Sequence, residues 1–272
     1  MTHLPNQVGI RKISESDLYI SEPKPALFGN EPNNSNNSNW TNSNWLKSRF
    51  HFSFAEWSGG RNHFGCLRVV NDDLVQPVRG FGSHGHRDME IVTYIIRGGL
   101  THQDSIGSEE TLERGSVQFM TAGTGVMHNE YNLQPDQDLR FIQSWILPRA
   151  QGLTPRYGSF SADDTTLGRR LNQWFHLVSD MEGPGQVHIQ QDFNLFASEI
   201  EAGNSIEFEL SPLRQAYVLC LEGWLQVNET MLEKHEAIEI QPTSKTLHLT
   251  FHGQTGVEQT HLLLYEMGGE TL

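Results

Sequence analysis

The chain has 272 residues, 36% of them hydrophobic and 10% aromatic, enough for a sizeable core in one large or two modest domains. Its formal net charge of −14 argues against direct nucleic-acid binding, which needs clustered Lys and Arg. No stretch approaches the roughly 20 apolar residues of a membrane helix, and MTHLPNQVGIRK lacks the apolar segment of a signal peptide. The expectation is a cytoplasmic protein without membrane partners, or a nuclear one in a eukaryote. The only cysteines, Cys66 and Cys220, lie far apart, which fits a reducing compartment and two buried thiols rather than a disulfide framework. The Asn-x-Ser/Thr matches at Asn33, Asn36, Asn39 and Asn228 are then products of composition.

In chain order, Val8 to Ile13 and Leu18 to Ile20 read as short strands. Residues 30–44, NEPNNSNNSNWTNSN, are of low complexity and read as a flexible insertion. WLKSRFHFSFAEW then alternates around Phe50, Phe52 and Phe54, which predicts three aromatics on one strand face and His51 on the other, at the surface or bridging. His63 stands in a Gly-rich turn with no ligand partner two residues away. Further on, residues 139–147 read as a strand stopped by Pro148, and residues 148–168, rich in Pro, Gly, Ser and Asp, read as a linker. The second half repeats the pattern, with nine candidate strands between Trp174 and Tyr265 and Gly-bearing turns between them. Short strands at regular spacing predict an all-β protein of two consecutive β-barrel domains, residues 1–150 and 151–272.

The chemistry concentrates in residues 80–131. This segment opens on His84-x-His86 and closes on His128-x-Glu130. Residues two apart on a strand share a face, so each pair can place two donors in one cavity. Three imidazoles and a carboxylate suit a divalent transition metal and leave room for an open position. The donor set accepts Fe(II), Cu(II), Ni(II), Mn(II) or Zn(II). Glu90 shares strand parity with His84 and His86, so geometry permits it as the carboxylate instead. The second half has His176, His188, His235, His248, His252 and His261, but no His-x-His or His-x-Glu pair, and is read as metal-free.

The stretches GFGSHGHRDMEIVTYIIRGGLTHQDSIGS and GSVQFMTAGTGVMHNEYN, with WLKSRFHFSF and GCLRVVNDDLVQP before them, resemble the pirin family of the cupin superfamily. The likeness runs from about Trp45 to Tyr157, with a weaker echo in VHIQQDFNLFASEIEAG and LEGWLQVNE. It implies a bicupin, two jelly-roll-like β-barrels face to face joined by a short linker. One metal, iron by preference, would sit in the N-terminal barrel on His84, His86, His128 and Glu130. Glu90 would then be structural. Gly85 stands where relatives often have proline, which predicts a looser loop, and residues 30–44 look inserted.

Two functions follow from the resemblance. One is a quercetin 2,3-dioxygenase, opening a flavonol ring with O2 and releasing carbon monoxide. Glu130 would act as its catalytic base, and Phe64, Phe81, Met120 and Met127 would line the mouth. The other is a redox-sensitive regulatory protein that binds a transcription or metabolic protein partner, for which no basic localisation run is present. Nucleophile motifs, phosphate-binding loops and the dinucleotide fingerprint are absent from the sequence.

Overall fold

A computed structural model describes residues 9–24, 45–254 and 259–269. The proposed insertion at 30–44 lies outside the described residues. The first half contains β1 (Ile10–Ile13), β2 (Tyr19–Ser21), β3 (Leu46–Phe50), β4 (Leu67–Val75), β5 (Arg79–His86), β6 (Glu90–Arg97), β7 (Leu100–Asp104), β8 (Glu109–Leu112), β9 (Val117–Thr121), β10 (Val126–Asn132), β11 (Leu139–Ile146) and β12 (Arg156–Phe160). The second contains β13 (Phe175–Ser179), β14 (Val187–His188), β15 (Phe193–Glu201), β16 (Ser205–Leu210), β17 (Arg214–Glu222), β18 (Trp224–Val227), β19 (Thr230–Glu233), β20 (Ala237–Ile240), β21 (Leu247–Gly253) and β22 (Gln259–Gly268). The one α-helix among the described residues is α1 (Asp164–Gly168).

Each half pairs a seven-stranded with a four-stranded sheet, a two-sheet jelly roll rather than a barrel closed by hydrogen bonds. In the first half the large sheet runs β12-β9-β6-β11-β4-β3-β2 and the small one β5-β10-β7-β8. In the second they run β1-β20-β17-β22-β15-β13-β14 and β16-β21-β18-β19. The large sheets meet face to face. Phe52, Val70, Tyr94 and Ile142 pack into one buried cluster with Phe193, Tyr217, Leu263 and Tyr265. A strand in a large sheet therefore has one face in that shared core and the other inside its own half. That is why β6 (EIVTYIIR) is apolar almost throughout instead of alternating.

The two halves are tied together by exchanged strands. β1, first in the chain, adds to the second half's large sheet through β20. β12, inside the segment expected to be a linker, adds to the first half's large sheet through β9. Its sequence, RYGSF, carries too little apolar alternation to show as a strand, and the pairing with β9 supplies the order. Buried polar groups cross the same interface. Arg140 donates from Nε to Asp72 Oδ1 at 2.8 Å and from Nη2 to Asp72 Oδ2 at 2.7 Å, and it reaches Leu221 O at 2.9 Å. His235 Nδ1 lies 2.5 Å from the same Asp72. His51, expected at the surface or bridging, bridges the two halves: it is fully buried just past β3, with Nδ1 2.7 Å from Tyr217 Oη. Both cysteines are free, and burial pushes each thiol up to about 12.

Candidate metal centre and its aromatic cavity

Three adjacent strands of the small sheet, β5, β10 and β7, carry the histidines. Register places His84 opposite His128 and His128 opposite Asp104, and it places Glu130 opposite His102. The row His84–His128–Asp104 therefore crosses the sheet, with Glu130 and His102 beside it. One extra residue on β5 interrupts the pairing between His128 and Glu130, so that Phe81 stands opposite Glu130. This bulge turns Phe81 to the same face as His84 although the two are three apart in sequence. Gly80 is needed next to it, since a Cβ there would lie 2.3 Å from the Glu130 carbonyl.

Two groups of donor atoms form, each within 4.8 Å: His84, His86 and His128, and His102, His128 and Glu130. The four expected residues do not fall in one group. His128 is common to both, and Glu130 groups with His102 and His128. Burial and the neighbouring imidazoles lower His86 and His128 to about 3, so both rings are neutral. His84 Nδ1 lies 2.8 Å from Gly82 O. A carbonyl only accepts, so Nδ1 carries a hydrogen, and in the neutral ring Nε2 then holds the lone pair. The same argument runs through His102. Its Nε2 donates to Asp104 Oδ2 at 3.0 Å, which leaves Nδ1 to accept from His128 Nδ1 at 3.5 Å. His128 Nε2 is then also bare, and it faces His84 Nε2 at 3.0 Å. His86 Nε2 is buried without a hydrogen-bond partner among the described residues. In the neutral rings two lone pairs then face one another at 3.0 Å with the His86 ring beside them, and a cation between them relieves the repulsion, so these residues fit a divalent transition metal.

Glu130 is 2% exposed and bridges the two sheets. Gln118 of β9 donates to one of its oxygens at 2.9 Å and Gln143 of β11 to the other at 2.8 Å. Tyr157 of β12 stacks on His102 (4.4 Å between centroids, 16° between planes), and its hydroxyl lies 3.1 Å from Gln118 Oε1. The supposed linker thus buttresses the site. Glu90, the alternative carboxylate, is fully buried elsewhere. It accepts from Thr121 Oγ1 at 2.7 Å and from the Gln190 backbone at 3.0 Å, a link between the halves.

A cavity of about 600 Å³ opens beside His84 and His86. Its walls are Leu46, Phe50, Phe54, Phe81 and Trp145, with Ser48, Asn71, Asp73 and Gln143 among its polar lining. Trp145 meets Phe54 edge-on at 5.1 Å and His86 at 4.9 Å. Of the expected mouth residues only Phe81 lines it. Phe64 belongs to the core between the halves, Met120 is packed against Ile91 and Val126, and Met127 is 48% exposed on the outer face. The expected common face of Phe50, Phe52 and Phe54 also fails. β3 ends at Phe50, after which Phe54 returns to the cavity while Phe52 turns into the shared core. Burial pushes the Asp73 carboxyl up to about 7, with Asp72 and Glu130 adding to the shift.

The comparisons with known proteins match this architecture. The pirin profile matches residues 33–146, and that of the quercetinase C-terminal cupin domain matches residues 176–267. A Pseudomonas aeruginosa protein, PA1210, provisionally named a quercetin 2,3-dioxygenase, is 38% identical over 227 residues, 82% of this chain and 93% of that protein. The chain belongs to the pirin family. An Escherichia coli K12 relative named quercetin 2,3-dioxygenase is 33% identical over 72% of this chain and 83% of its own length. The crystal structure of the E. coli pirin YhhW in complex with nickel(II) superposes with a TM-score of 0.77 at 26% identity, covering 96% of this chain and 99% of that one. No helix among the described residues of this pirin-family chain is long and apolar enough to cross a membrane.

In the second half the space between the sheets is filled by Leu225, Val227, Leu249, Phe251 and other apolar side chains. Its histidines are dispersed. His235 and His261 join the polar contacts between the halves, and His176 stacks on Phe196 at 4.2 Å. His102, Asp104, Gln118, Gln143 and Tyr157 were not singled out from the sequence. His102-x-Asp104 carries the same two-residue spacing as the chosen pairs. The other three have no local signal, since they reach the site from the opposite sheet or across the expected domain boundary.

Proposed function

We propose that this chain is a metal-dependent oxygenase of flat hydroxylated aromatics, with flavonols such as quercetin as substrate and O2 as co-substrate. His84, His86 and His128 hold one divalent metal with Glu130 at its side. Fe(II) is the expected ion, and Ni, Cu, Mn and Zn are chemically acceptable competitors. The carrying observation is the aromatic-walled cavity of about 600 Å³ that opens directly on His84 and His86, a size and lining suited to a small planar ligand. When bound, the metal supplies a Lewis acid that favours the ionised form of a flavonol hydroxyl. Phe50, Phe54, Phe81 and Trp145 hold the ring system flat and exclude water. Gln118 and Gln143 fix the orientation of Glu130, which takes the hydroxyl proton on a carboxylate oxygen. The names of the relatives support the same reading.

The test is turnover of quercetin by protein stripped of metal and reloaded with Fe(II), with loss of flavonol absorbance and consumption of dissolved oxygen followed together. Turnover that requires metal and collapses in Glu130→Gln supports the reading. Unchanged absorbance and oxygen under Fe, Cu, Ni and Mn loading overturns it.

A further inference from the structure

The aromatic cavity has a polar side that the proposed chemistry does not use. Asn71 and Asp73 lie two apart on β4 and so face the same way, away from Asp72 and its partners in the other half. Register sets Asn71 beside Phe50 and Gln143, and Asp73 beside Ser48 and Phe141. Asn71 and Asp73 are 5% and 4% exposed, and both line the cavity. The Oδ1 of Asn71 is buried with no hydrogen-bond partner among the described residues. A buried carbonyl oxygen left unpaired in an aromatic pocket is costly, and native proteins satisfy nearly all such atoms with protein, water or ligand.

The geometry points to Asn71 and Asp73 as substrate-orienting residues that hydrogen-bond phenolic hydroxyls on the ring system and thereby select polyhydroxylated flavonols over bare ones. This rests on the flavonol reading above and deepens it. The walls are apolar, so they grip any flat aromatic. Asn71 and Asp73 add direction, because a hydroxyl placed against them gives the amide oxygen a partner, while a ring carbon there leaves that oxygen unpaired. A site built to bond a hydroxyl rejects the analogue lacking it far more strongly than an apolar pocket can.

The test compares quercetin with 3-hydroxyflavone, which keeps the reacting hydroxyl but lacks the ring hydroxyls. Affinity for the metal-loaded protein is measured by calorimetry, and kcat and KM are measured alongside. The wild type binds quercetin at least about tenfold more tightly than 3-hydroxyflavone. In Asn71→Leu that ratio falls to about two or below, with 3-hydroxyflavone affinity, metal content and melting temperature kept, and the loss appears in KM rather than kcat. Asp73→Leu acts in the same direction, and Asp73→Asn restores most of the preference. A ratio that persists in Asn71→Leu and Asp73→Leu overturns the assignment while leaving the flavonol reading intact. If the leucine variants do not fold, equal wild-type affinities for quercetin, 3,5,7-trihydroxyflavone and 3-hydroxyflavone overturn it equally. Absence of both binding and turnover for every flavonol in the wild type overturns the flavonol reading and this assignment with it.

Discussion

Asp72→Ala tests what the buried ion pair at the interface between the halves contributes to stability. Asp72 and Arg140 have side chains 1% and 7% exposed and share two hydrogen bonds, while Arg140 also reaches Leu221 O and Asp72 also meets His235 across the interface. Burial works against the charge on Asp72, yet Arg140 and His235 hold its carboxyl well below the usual range. Removing the carboxylate leaves a buried guanidinium with no counter-charge, held only by the Leu221 carbonyl and the His235 ring. Breaking a buried pair from one side costs about 3–5 kcal/mol. For a chain of this size each kcal/mol lowers Tm by roughly 2–4 °C, so the expected drop is on the order of 10 °C. Removing both charges with matched apolar groups is far milder, so Asp72→Leu with Arg140→Met recovers at least half of the loss. Urea unfolding followed by fluorescence and by circular dichroism measures both variants. A cost below about 1 kcal/mol for Asp72→Ala, or a double variant worse than the single, refutes the claim that an unpaired buried charge sets the penalty.

His102→Phe keeps the stack on Tyr157 but removes the acceptor that fixes the His128 tautomer. Metal affinity is expected to fall about 10–100-fold, read by competition with a chelator of known affinity, and an unchanged affinity refutes the relay. In acid, metal-free protein loses stability because buried histidines resist protonation. Burial lowers His261 to about 4 despite Glu222, and His51 to about 3. The unfolded chain protonates these rings near 6.5 while the fold resists, so their contribution is full above that pH and is lost as pH falls towards 4 and then 3. Asp73, raised to about 7, works in the opposite direction over the same range. His261→Gln should therefore flatten the fall in urea midpoint between pH 6.5 and 4, and an unchanged slope refutes the assignment.

Much of this protein was legible without tertiary structure, because the signals are local. Residues two apart on a strand share a face wherever that strand ends up, so His84, His86, His128 and Glu130 could be placed on strands in facing pairs from spacing alone. Short apolar runs between Gly-bearing turns announced an all-β chain, and the candidate strands at Ser205–Leu210 and Ala237–Ile240 match the observed bounds. What the chain could not reveal was which strands become neighbours. Register across the small sheet brought His102 and Asp104 behind His128, and a bulge on β5 turned Phe81 inward against its parity. The facing sheet supplied Gln118 and Gln143 to Glu130, and a strand hidden in the apparent linker supplied Tyr157. His51 could be read only as surface or bridging because alternation separates two faces of a strand without saying what covers them, and both faces of this large sheet are covered. Sequence thus determined the donor types and the face each strand presents, since these depend on residues a few positions apart. Tertiary structure decided the partners, the cavity and the tautomers, since these depend on contacts between segments far apart in the chain.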